Sequence, residues 1–190
     1  MTTKQTLAKL VDKLDARGIA VQFLDSGAED LEIGQLRDGI ITLNRQSRDD
    51  RGMVFTIAHL FGHYCQFMNY DKYRHLVDAV AAPVPISLSP AFRLEFLEYE
   101  REAFGIGKSL IQEVRRFDEQ WDRHYRSFMV ADFEHFWTYI TTGCKQDAGS
   151  FNKQLSRLYQ QRDSNRDPIE AVPIPVKIST SALHPSVTIF

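Results

Sequence analysis

The apolar positions of this chain switch between two periods, and each switch marks an element. Leu7, Leu10, Val11 and Leu14 recur at i, i+3, i+4 and i+7, the stripe of an amphipathic helix. Gly18 follows where a left-handed residue closes a helix, so the pattern predicts a helix over residues 3–17. Ile19, Val21 and Phe23 then alternate with other residues as a half-buried strand does. After a polar break from Ser26 to Asp30, Ile33–Leu36 and Ile40–Leu43 flank Asp38-Gly39, a dipeptide suited to a two-residue hairpin turn. A small, mostly antiparallel sheet is expected. Arg45 to Gly52 reads as a charged loop without core residues, and a helix is predicted to start near Met53.

Residues 69–91 read as a long connection, a lid or a crossover, because Pro83, Pro85 and Pro90 fall too close together for a regular helix. A helix resumes from about Phe92 to about Arg116, with Phe96, Tyr99, Ala103, Phe104, Ile106 and Leu110 on or near its apolar side. Residues 118–142 and 149–161 read as two more helices, the second carrying Phe151, Leu155, Leu158 and Tyr159, with Gly143 and Gly149 as punctuation. Past Arg162 the prolines 168, 173, 175 and 185 stand among Ser, Thr and alternating Val and Ile, which favours an extended or disordered tail. The pattern predicts an α+β fold: one helix, a small sheet, a helix bearing a histidine pair, and a helical second half. One domain over residues 1–162 and a tail over 163–190 are expected.

Composition narrows the function classes. With 190 residues, 43% of them hydrophobic, the chain can build one core without staples. A formal charge of −2 gives no electrostatic reason for nucleic acid or an anionic membrane as partner. Arg115, Arg116, Arg123 and Arg126 are basic spots among acids, not a stripe. Cys65 and Cys144 are too few for a disulfide framework and suit a reducing compartment. Neither a signal-type apolar segment after Met1 nor a run of membrane-spanning length occurs, so a cytoplasmic protein is expected.

The candidate chemistry lies in His59-Leu60-Phe61-Gly62-His63. Two histidines four apart on a helix differ by about 40° at roughly 100° per residue, so both imidazoles address one spot. From spacing alone, two core histidines satisfied by backbone carbonyls fit better than a ligand pair. A third ligand has to come from an element crossing the first helix. Glu100, Ala103 and Gly107 stand at i, i+3 and i+7, one carboxylate and two small residues on one face, which permits a close helix approach. Glu102 points away from that stripe. His124 and His135, among Trp121, Tyr125, Trp137 and Tyr139, are either oxyanion donors opposite a metal or simply packed.

In order along the chain, the hairpin ending Ile40-Ile41-Thr42-Leu43-Asn44, the charged loop, Phe55-Thr56-Ile57-Ala58-His59 with Gly62-His63, and Glu100-x-x-Ala103 resemble the ImmA/IrrE family of zinc metallopeptidases, small gluzincin-like domains of bacteria and their phages. The resemblance implies a minigluzincin-like fold over the first two thirds of the chain, zinc as cofactor, and His59, His63 and Glu100 as its ligands. It also implies that Thr56 faces the cleft. Two positions depart from the family pattern. Where the H-E-x-x-H motif has a Glu that takes a proton from water at the metal, this chain has Leu60. Phe104 follows Ala103 where an Asp or Asn is usual, a carboxylate that would accept the other ring N–H of a ligand histidine; such losses cost about 10- to 100-fold in metal affinity or activity.

General-base assistance is worth roughly 10²- to 10⁴-fold, and neither Glu98 nor Glu102 is well placed on its helix to supply it. The resemblance therefore implies a metallopeptidase-like, metal-binding pseudoenzyme, a hydrolase fold catalytically weakened or inactive, acting by recognition of a protein or peptide segment in a regulatory or phage-related process. Two other readings stay open: an active zinc endopeptidase cleaving one regulatory protein, and a metal-free interaction module. Val172 to Ile178 alternates like a strand and would suit a cleft that accepts an extended peptide, with a disordered tail as the alternative.

Overall fold

The computed structural model describes residues 1–24, 34–37, 39–44, 49–68, 72–76, 90–142 and 148–160. Helix α1 (Thr3–Asp15) starts with a capping box, Thr2 accepting from the Gln5 amide while the Gln5 side chain accepts from the Thr2 amide. Its inner face buries Leu10 and Leu14. The helix ends two residues before the predicted boundary, and the chain turns through Gly18 at φ +75° so that the Ile19 amide can donate to the Leu14 carbonyl.

Strands β1 (Ala20–Leu24), β2 (Gly34–Arg37) and β3 (Ile40–Asn44) form one sheet in the order β1-β3-β2. Strands β2 and β3 pair antiparallel as expected of a hairpin, with Arg37 opposite Ile40 and Gly39 at φ +73°. The expectation of a mostly antiparallel sheet is corrected, because β1 runs parallel to β3, from Ala20 opposite Ile40 to Leu24 opposite Asn44. A hairpin turn fixes only the strands it joins, and the alternation in β1 suits either partner. The parallel register sets half-buried Val21 and Phe23 beside buried Ile41 and Leu43, which extends a single apolar face.

Helix α2 (Asp50–Phe67) begins earlier than expected: Asp49, assigned to the charged loop, caps it by accepting from the Gly52 amide at 2.7 Å. It is buried nearly all round, from Gly52 to Gln66, as befits a helix that touches the sheet, α1 and two later helices. A short helix, α3 (72–76), falls within the stretch expected to be irregular; residues 77–89, including the proline run up to residue 89, lie outside the described residues. Helix α4 (Pro90–Val114) starts on Pro90 itself, where a missing N–H is harmless. Helix α5 (Glu119–Thr142) follows Asp118, whose carboxylate accepts from the Trp121 amide, and α6 (Ala148–Gln160) covers α5 with Phe151 and Leu155. The fold is α+β, mostly helical with a small sheet. Residues 161–190, which include the tail, also lie outside the described residues. Among the described residues no helix is long and apolar enough to cross a membrane.

The closest packing is between α2 and α4. A methyl group added at Gly62 would lie 2.6 Å from the Ala103 carbonyl carbon, and one at Gly107 would lie 2.5 Å from the Ala58 carbonyl oxygen and 2.7 Å from the Tyr125 hydroxyl. The obstacles are mostly backbone, which cannot step aside. In an open helix a glycine-to-alanine change stabilises by roughly 0.5–1 kcal/mol; here the sign reverses. Gly62→Ala is expected to destabilise the fold by at least about 1–3 kcal/mol, the usual cost of overpacking, as read from urea denaturation. A stabilised Gly62→Ala protein would contradict this helix crossing.

Candidate metal centre

The crossing of α2 and α4 decides which polar groups meet. His59 and His63 follow Ala58 and Gly62 by one residue each, and Glu100 precedes Ala103 by one turn, so the small residues that let the backbones approach also bring the three side chains together. The His63 and His59 Nε2 atoms are 3.0 Å apart, and Glu100 Oε2 lies 3.3 Å from His59 Nε2 and 3.5 Å from His63 Nε2. Ligand atoms of these three residues all fall within 4.8 Å of one another. His59 and Glu100 are buried, 5% and 3% exposed, while His63 keeps partial access to solvent.

The two histidines are supported differently. Buried Gln66, one turn beyond His63, donates from Nε2 to the Tyr99 carbonyl at 2.7 Å and to Glu102 Oε2 at 3.2 Å. A carbonyl only accepts, so the amide orientation is fixed and Gln66 Oε1 faces His63 Nδ1 at 3.0 Å as its acceptor. His63 Nδ1 therefore carries a proton. Its Nε2 is left to face the cluster, a tautomer choice made by the same kind of outer contact that orients metal-binding histidines elsewhere. His59 has no such contact. Phe104 lies flat against its ring, with centroids 3.8 Å apart and planes at 15°, and the buried Nδ1 has no hydrogen-bond partner. Phe104, the residue after Ala103, thus meets His59 as a stacked phenyl ring and leaves its other ring nitrogen without a partner.

A fourth polar group was not anticipated. Asp132 of α5 places Oδ2 3.2 Å from His59 Nε2, on the side where the other groups converge and not at Nδ1. It continues the stripe Trp121, Tyr125, Phe128, of which Tyr125 anchors α5 to α4 by donating to the Phe104 carbonyl at 2.8 Å. One acid in an otherwise apolar helical stripe was the signal available in the sequence. Gln66 had a weaker one, its i, i+3 spacing from His63.

The other residues singled out in the sequence have these contacts. Thr56 is buried, and its hydroxyl donates to the Gly52 carbonyl one turn back on its own helix. Leu60 is half-buried and packs against the hydrophobic core. Glu102 pairs with Lys72 and Gln66. His124 meets Arg51 and stacks on Tyr159, and His135 packs edge-on against Phe151. Burial pushes the Cys65 thiol up to about 12, so it supplies no thiolate.

Burial alone would lower the His59 pKa, yet hydrogen bonds and charge from Asp132 and Glu100 outweigh it and raise the value from 6.5 to about 9. Burial would raise that of Glu100, but the two imidazoles bring it from 4.5 down to about 2. In chelator-treated protein the contribution of His59 to stability is therefore fully present below pH 6.5 and is lost as pH rises through about 9. That of Glu100 is present above pH 4.5 and is lost as pH falls towards about 2. Denaturation midpoints measured from pH 6 to 10 are expected to fall on the alkaline side, and His59→Gln to remove that fall. Gln66→Leu, which leaves His63 Nδ1 and the Tyr99 carbonyl without their contacts, is expected to cost about 1–3 kcal/mol in the same assay.

Comparison of the chain with family models, with curated proteins and with solved structures finds no match, so the chemistry of these side chains alone bears on function.

Proposed function

We propose that this protein holds a zinc ion through His59, His63 and Glu100, in a site of the metallopeptidase kind that the ImmA/IrrE resemblance suggests, and that its hydrolytic chemistry is altered or weakened because Leu60 stands where the usual base would be. One observation carries the reading. Three possible ligand atoms converge at 3.0–3.5 Å inside the protein, and tetrahedral zinc with bonds of 2.0–2.1 Å sets its ligands about 3.3 Å apart. Atoms so placed repel unless a proton or a metal cation lies among them.

The donor set fits a divalent ion in kind as well as in spacing: two imidazoles and a carboxylate, without a thiolate, are a common zinc combination. Charge points the same way. Glu100 and Asp132 together bring two negative charges to His59; a divalent cation neutralises both, whereas one proton on His59 neutralises one. When bound, zinc would polarise a carbonyl oxygen and acidify water. The chain's own residues do the rest: Gln66 holds His63 in the right tautomer, Phe104 fixes the plane of the His59 ring, and the α2/α4 crossing sets the spacing. A protein segment remains the proposed target, in a regulatory or phage-related setting.

A second reading is favoured by the Asp132 contact. With His59 protonated, its Nε2–H would sit between Asp132 and Glu100 at 3.2 and 3.3 Å, a metal-free ion-pair core in an interaction module. Elemental analysis of the purified protein separates the two. About one zinc per chain, lost in His59→Ala, is the expected result, and metal-free wild type that takes up no zinc on dialysis leaves only the second reading. Leu60→Glu is expected to raise any peptide hydrolysis by up to about 10²- to 10⁴-fold; a wild type already matching it means that the base lies elsewhere.

A further inference from the structure

We propose that Asp132 supplies from α5 the carboxylate that residue 60 lacks: it borders the open side of the metal group and holds the water there. This rests on the metal reading above and deepens it. The first support is direction. Asp132 Oδ2 approaches His59 at Nε2, the atom aimed at the ligand cluster, at 3.2 Å. A group that merely oriented the ring would contact Nδ1, which has no partner.

The second support is distance. Asp132 touches His59 but does not join the set of ligand atoms lying within 4.8 Å of one another, which comprises His59, His63 and Glu100. Two atoms bound to one zinc cannot be more than about 4.2 Å apart at bond lengths of 2.0–2.1 Å. Asp132 thus borders the group at His59 without closing up on all three of its members, a position suited to holding a water beside the metal. The third support is access. His59 and Glu100 are closed off, with side chains 6% and 4% exposed, while those of His63 and Asp132 retain 17% and 14%. Solvent reaches the group on the side these two border.

Placed there, the Asp132 carboxylate accepts a hydrogen bond from water, and in peptide hydrolysis it takes the proton as the water oxygen bonds to the carbonyl carbon. The C–N bond then breaks and the proton passes to the departing amine, so that water alone is consumed. The residue is held for this by its helix. Tyr125 ties α5 to the Phe104 carbonyl, and Phe128 packs on Phe104 and near the His59 ring, which sets Asp132 one turn further along the same face.

The test uses the full chain loaded with Co(II), whose visible spectrum reports its ligands, and acetohydroxamate as probe, since this small acid displaces water from such a metal and donates its proton to a neighbouring carboxylate. Wild type is expected to bind the metal and to change spectrum with acetohydroxamate. In Asp132→Asn, which is isosteric, the metal should stay bound and acetohydroxamate affinity should fall by about tenfold or more. Asp132→Glu, which keeps the charge, should recover part of the loss and shows that any defect is not misfolding. Unchanged acetohydroxamate affinity in Asp132→Asn overturns the proposal while leaving the metal reading intact. So does a wild-type spectrum indifferent to acetohydroxamate, the mark of a closed four-ligand site. A wild type that binds no Co(II) removes the metal reading itself, and the role of Asp132 with it.

Discussion

The contact between the backbones of α2 and α4 is the constraint on which the rest depends. Gly62 against Ala103 and Ala58 against Gly107 bring two helices so close that a single added methyl has nowhere to go. Imidazole and carboxylate side chains are short, and Glu100 reaches the two imidazoles at 3.3 and 3.5 Å because the helix backbones are in contact. Hydrophobic burial around the crossing, from Phe55, Phe104, Tyr125 and Phe128, drives the helices together, and the small residues decide how near they come. The polar cluster is thus held by packing, and its geometry does not need the strength of its own contacts.

The two histidines show how outer contacts divide the labour at such a site. His63 is tied through Gln66 to the Tyr99 carbonyl and to Glu102, which in turn pairs with Lys72. His59 is steered by stacking on Phe104 and is left with an unpartnered Nδ1. A phenyl ring fixes a plane as well as a carboxylate does, but it accepts no hydrogen bond from the ring nitrogen. Asp132 brings a carboxylate to the His59 Nε2 from the opposite side.

Much of this was legible in the sequence, and what was not has physical reasons. The i, i+4 histidine pair and the Glu100, Ala103, Gly107 face are local patterns, and the fold brings them together as their spacing implies. Helix boundaries fall within three residues of those the pattern predicts, α2 differing most because Asp49 acts as a cap inside a run that reads as a charged loop, and the short α3 is the one described helix the pattern does not predict. The direction of β1 was misjudged because alternation specifies a face and not a partner strand. Asp132 and Gln66 stayed hidden for different reasons. Asp132 meets His59 across more than seventy residues of chain, a relation that no local pattern encodes. Gln66 is within one turn of His63 but looks like any polar helical residue until the Tyr99 carbonyl fixes its amide.

Zinc-edge X-ray absorption on the full chain tests the central claim most directly, because it reads the atoms around the metal and not merely its presence. Two imidazole nitrogens and oxygen neighbours at about 2.0–2.2 Å, without sulfur, are the expected first shell, and His63→Ala should remove one imidazole. A sulfur shell at about 2.3 Å, or a first shell unaltered in both His59→Ala and His63→Ala, would place any bound zinc elsewhere and contradict the site at the α2/α4 crossing.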